Sequence, residues 1–98
     1  MAVNVEKHIA HWRSGAEEDF VVAKATVASG HLRHGLFWAH LALEKMLEAH
    51  VTKTTGTVPP KSHNLPRLAE IARLDVTEER VEFLKRLNAY QLEGRYPE

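Results

Sequence analysis

The tightest constraint on this chain is a period. Apolar residues return every three or four positions through two long segments, and nowhere do they alternate as a half-buried strand would. In the first, from about Val3 to Ser29, the face is Ile9, Trp12, Ala16, Phe20, Ala23 and Val27. In the second, from about His31 to Thr54, it is Leu32, Leu36, Ala39, Leu43, Met46 and Leu47. Phe37, Trp38 and Leu41 widen the second face, and a helix apolar on several sides packs against several neighbours. Gly30 and Gly56 stand where two helices should stop. Gly15 and Gly35 fall inside them and read as weak points, costing about 1 kcal/mol each relative to Ala.

The stretch Thr55 to Asn64 carries two prolines among small polar residues and reads as a loop. Asn64 is suited to cap a short third helix ending near Leu74, with Pro66 tolerated in its first turn. Thr77 caps a fourth helix, with Glu78 and Glu79 favourably placed in its first turn. Its stripe is Phe83, Leu84, Leu87 and Tyr90, and the run Gly94 to Pro97 breaks it. With no strand pattern and no repeat, four helices on short links give one all-α domain over residues 1–98, an antiparallel up-and-down bundle.

Composition narrows the rest. At 44% hydrophobic and 27% charged, the chain is globular rather than disordered. Its formal net charge is zero, so no basic face for DNA is expected. Cysteine is absent, which removes disulfides and thiolate catalysis and fits a cytoplasmic protein. No apolar run is long enough for a membrane span or a signal peptide.

Polar residues interrupt the buried faces in three places. Asp19 shares a narrow strip with Trp12, Ala16 and Ala23. Arg33, His40 and Glu44 run beside Leu36 and Leu47. Asn88, Gln91 and Arg95 continue the line of Leu84. One buried Asp or His is usually a satisfied structural group. Lines on three helices that converge in a bundle point instead to a shared cluster, at a ligand site or a dimer seam. We expect His40, Glu44 and Lys45 to meet Asp19 and either Asn88 or Arg95, with Lys45 and Arg95 as the cations for Asp19. Glu44 and Lys45 point about 100° apart on a helix and should serve different partners. If the cluster is structural, removing the Asp19 carboxylate should cost roughly 3–5 kcal/mol.

Catalytic signatures are few. His8 with His11, and His31 with His34, are pairs three apart, but neither has a third ligand or the HExxH context of zinc, so no metal is expected. No Gly-rich phosphate loop or GxSxG motif is present, and no cofactor is expected.

One ordered set of residues resembles the HEPN family, the higher eukaryote and prokaryote nucleotide-binding domains. It comprises Trp12, Ala16, Asp19, Ala23 and Gly30, then Phe37, His40, Ala42, Glu44, Lys45 and Leu47. It continues through Pro59, Pro60, His63, Leu65 and Leu68, and closes with Leu84, Leu87, Asn88, Tyr90 and Arg95-Tyr96-Pro97. The resemblance spans about Trp12 to Glu98. It implies an up-and-down helical bundle that forms a homodimer, partners a minimal nucleotidyltransferase in a toxin–antitoxin-type pair, and binds nucleotide or RNA. The candidate ligand-binding or polar cluster is then Asp19, His40, Glu44, Lys45, His63, Asn88, Arg95 and Tyr96.

Many related members are metal-independent ribonucleases, in which an Arg is followed four to six residues later by a His. That histidine would serve acid–base chemistry and the arginine would hold the phosphate. Here Arg95 occupies the arginine's place and no histidine follows it. The family's last helix is also expected to be missing. A ribonuclease would have to combine Arg95 with a histidine from elsewhere, His40 or His63. Arg33 and His40 have a similar spacing, but on the wrong helix. A binding and partner module is therefore the expected role, and an enzyme the alternative.

Overall fold

The computed structural model describes residues 4–95, with side chains as far as Tyr90. Four helices make up the described residues: α1 (Val5–Ala28), α2 (Leu32–Thr55), α3 (Leu65–Ile71) and α4 (Glu78–Arg95). Local chemistry sets most of their ends. The Asn4 side chain accepts from the Lys7 N–H at 3.0 Å and caps α1. Asn64 does the same for α3 through Arg67, and the Thr77 hydroxyl accepts from Arg80 at the start of α4. At the end of α1 the Gly30 N–H reaches the Val27 carbonyl and the His31 N–H the Thr26 carbonyl. This is a Schellman turn, and Gly30 adopts the left-handed φ of 92° it needs.

One boundary differs from expectation. α3 stops at Ile71 rather than near Leu74, because the same turn recurs there without glycine. The Arg73 N–H bonds to the Glu70 carbonyl and the Leu74 N–H to that of Ala69. Arg73 itself carries a φ of 57°, so nothing in the residue type announces the stop. α4 is described as far as Arg95, inside the run Gly94 to Pro97 expected to break it, and Tyr96 and Pro97 lie outside the described residues.

The core sits between α2, α3 and α4, built on Leu47, Val51, Leu65, Leu68, Leu84 and Leu87. α1 lies antiparallel along α2 and, among the described residues, packs against neither α3 nor α4. Its buried residues are Ala16, Asp19 and Ala23. The apolar stripe read from the sequence is therefore only half covered. Phe20 and Val27 on α1 are 52% and 43% exposed, and Phe83 on α4 is 56% exposed. Periodicity shows which face is apolar but not whether the chain supplies a neighbour for it.

Gly35 is no weak point. It lies where α2 crosses α1, and a Cβ there would overlap Val27 Cγ2 and stand 3.1 Å from the Val27 nitrogen and 3.2 Å from the Ala23 carbonyl oxygen. Its missing side chain lets the two backbones touch. Gly15 has a similar but softer reason. A Cβ there would lie 3.1 Å from Lys45 Cδ, so the Lys45 stem crosses α1 over the notch that Gly15 leaves.

Candidate functional site

The polar residues of α2 divide between its two sides. On the α1 side, the Lys45 ammonium reaches Asp19 Oδ2 at 2.7 Å. Asp19 is buried and Lys45 is 31% exposed. On the opposite side, His40 and Glu44 face the segment that opens α3. His40 has no exposed surface. Its Nε2 lies 3.0 Å from the His63 carbonyl oxygen. A carbonyl can only accept, so Nε2 carries the proton. The His63 ring turns back toward α2, and its Nδ1–H donates to Glu44 Oε1 at 2.7 Å. Asn88 completes the group from α4, accepting from the Leu65 N–H at 3.1 Å and donating to Asn64 Oδ1 at 3.1 Å. The backbone and ring of His63 are thus clamped onto α2, and the N-terminus of α3 is held by α4.

The expected single cluster is corrected accordingly. Glu44 and Lys45 do serve different partners, and the turn of the helix between them sends Asp19 and Lys45 to one side and His40, Glu44, His63 and Asn88 to the other. The side chain of Arg95 and the whole of Tyr96 lie outside the described residues. With Lys45, partly exposed, as its one cation among the described side chains, the Asp19 pair should be worth less than a closed buried pair. Asp19→Ala should cost about 1–2 kcal/mol in urea denaturation, because Lys45 can turn to solvent. A loss of 4 kcal/mol or more would mean that Asp19 has a second essential partner.

Glu48 is the residue that sequence reasoning missed. It lies one turn beyond Glu44 on the same line, and Thr52 one turn beyond that. His40, Glu44, Glu48 and Thr52 form a buried polar file along α2. Burial first, then the neighbouring Glu44 charge and a hydrogen bond to it, push the Glu48 carboxyl up to about 7, while Lys45 pulls the other way. Glu48 therefore links the two sides electrostatically. Burial also lowers the pKa of His40, against the opposing pull of Glu44, Asn88 and the His63 backbone, and the ring stays neutral. Its Nδ1 stands 3.8 Å from Glu44 Oε1, too far for a hydrogen bond. The signal for Glu48 was available as the four-residue spacing of His40, Glu44 and Glu48.

Among the described residues no three His, Asp or Glu side chains are grouped to hold a metal ion, and no helix is long and apolar enough to cross a membrane.

The order of these features along the chain agrees with one known domain type. A family model of the HEPN domain matches residues 9–98. The chain belongs to the HEPN domain family. No curated protein and no solved structure matches it. As a HEPN domain it is a nucleotide- or RNA-related helical module, with the buried polar file of α2 at its centre.

Proposed function

We propose that this HEPN domain is a binding module. It forms a homodimer, engages a minimal nucleotidyltransferase in a toxin–antitoxin-type pair, and takes up nucleotide or RNA. One observation carries the association. An apolar groove of about 420 Å³ runs over α2 between Phe20 of α1 and Phe83 of α4, floored by Ala39, Ala42, Leu43 and Met46. An open face of this kind on a chain with a modest core favours a second copy as its cover. The nucleotidyltransferase rests on the family resemblance. Sedimentation at micromolar concentration should give a dimer, and Phe20→Asp should return it to monomer with the helical signal intact. A wild-type monomer overturns the homodimer. Failure of the neighbouring gene product to co-purify, if that product is a nucleotidyltransferase, overturns the partner.

A second reading, a metal-independent ribonuclease, has one observation in its favour. Glu44 orients the partly exposed His63 ring as a carboxylate orients a catalytic base. His40, with no exposed surface and its Nε2–H committed to a carbonyl, is unsuited to reach a phosphodiester. Residues 1–98 should show no robust cleavage of RNA in EDTA. Cleavage that disappears in both His63→Ala and Arg95→Ala would establish the enzyme instead.

A further inference from the structure

We propose that residues 57–63 form a strap over the buried polar file of α2, latched at His63, and that the charge on Glu48 decides how firmly the strap stays shut. The device is independent of the ligand and partner named above.

Two fixed ends set the path of the strap. It leaves α2 at Gly56, whose φ of 71° turns the chain back, and the Thr57 N–H donates to the Thr55 hydroxyl at 3.2 Å. It returns to α2 at His63, whose carbonyl accepts from His40 Nε2–H at 3.0 Å and whose ring Nδ1–H donates to Glu44 at 2.7 Å. The twelve residues from Glu44 to Gly56 span about 18 Å of helix axis. The seven residues from Thr57 to His63 reach at most about 23–25 Å. The strap is therefore close to extended, a shape that Pro59 and Pro60 favour. Glu48 and Thr52 lie on α2 between the two ends of this path. Both are buried, and so is Pro59 in the strap itself.

The latch and Glu48 meet at one carboxylate. Glu44 takes the His63 Nδ1–H and also a hydrogen bond from Glu48. While Glu48 keeps its proton, it supports Glu44 as an acceptor. Once ionised, it sets a second negative charge beside Glu44 in a place shut off from water. Lys45 acts on Glu48 in the opposite sense, but its ammonium is held by Asp19 of α1 at 2.7 Å. On the other side, α4 presents the uncharged Asn88 to His40, and Arg67 of α3 stands by Glu70 at the surface. Lifting the strap lets water reach Glu48 and removes the conflict. The lift ends at α3, because Asn88 holds the Leu65 N–H and Asn64 Oδ1, each at 3.1 Å. Gly56 is the other hinge, with open space where a Cβ would stand. The sign follows from the direction of the shift. The Glu48 carboxyl is raised from 4.5 to about 7, so closure is favoured fully below pH 4.5 and weakens as pH rises through 7.

The test is native-state cleavage by trypsin of the whole chain, wild type beside Glu48→Gln, at pH 5 and pH 8.5. Lys61 is exposed within the strap, and Lys85 lies inside α4. Cleavage after Lys61 tracks the open strap, and cleavage after Lys85 tracks the loss of α4. Each wild-type-to-variant ratio is taken at one pH, so the protease's own pH dependence cancels. The ratio at Lys61 should be at least about tenfold larger at pH 8.5 than at pH 5, while the ratio at Lys85 changes less. His63→Ala should speed cleavage after Lys61 at both pH values. Equal ratios at the two pH values would overturn the control by Glu48. Equal changes at Lys61 and Lys85 would overturn a local strap in favour of general unfolding. Unchanged cleavage after Lys61 in His63→Ala would overturn the latch.

Discussion

Gly35→Val should be the most damaging single substitution in α1 and α2, destabilising the protein by about 3 kcal/mol or more. Oversized side chains in a packed contact usually cost about 1–3 kcal/mol, at the upper end when the obstacle is backbone that cannot rotate away. Here the nearest atoms include the Val27 nitrogen and the Ala23 carbonyl oxygen, both inside α1. Valine's better helix propensity recovers only a fraction of a kcal/mol. The two helices must separate at their crossing, which also opens the buried contacts of Ala16 and Ala23. Gly15→Ala is the control. Its neighbour is a flexible lysine stem, so the gain in propensity and the displacement of Lys45 should nearly cancel. Guanidinium melts of both variants decide the matter. Equal effects at the two glycines would mean that Gly35 is not a backbone contact.

Glu48→Gln should stabilise the protein at alkaline pH by about 2–3 kcal/mol and leave it almost unchanged near pH 4.5. The Glu48 carboxyl lies at about 7 in the folded protein, above its ordinary 4.5. A raised value means that the folded state holds the proton more tightly. The associated stability is complete below pH 4.5 and is lost as pH rises through 7. The interval corresponds to about 3 kcal/mol. Glutamine keeps the shape and a hydrogen bond toward Glu44 without the ionisation. His40 works in the opposite direction, because its value is lowered below 6.5. Its contribution is present above pH 6.5 and is lost as pH falls. Wild type should therefore be most stable in weakly acidic to neutral solution, and the variant should keep the acid limb while losing the alkaline one. Urea melts at pH 5, 7 and 8.5 separate the outcomes. A gain of the same size at pH 5 and pH 8.5 would show that ionisation of Glu48 is not its cause.

Much of this architecture was readable wherever a local rule decides. Gly30, Gly56, Asn64 and Thr77 mark helix ends because capping is a property of a few adjacent residues. Arg73 marks one too, but as a non-glycine residue in a left-handed conformation it leaves no trace in the residue type. Phe20, Val27 and Phe83 were read as core because apolar spacing was the only information at hand. Whether a neighbour covers them depends on where α1 lies relative to α4. Asp19 could be aimed inward from its strip, with Lys45 as one of two candidate cations for it. The division of the polar residues between two sides of α2, and the inclusion of Glu48, needed the helix positions. Gly35 showed the same limit in reverse, since a glycine inside a helix looks like a defect until the crossing helix is in view.

The isolation of α1 has a consequence for motion. Among the described residues α1 packs against α2 alone, with only Ala16, Asp19 and Ala23 buried, and it takes no part in the core that α2, α3 and α4 share. Its detachment is a local opening that leaves the other three helices folded, with a free energy below that of global unfolding. Any molecule that bridges α1 to α4 across the open face closes this low-energy exit. Its binding and the quieting of α1 then become one thermodynamic event, and its affinity carries the entropy of ordering the helix within it.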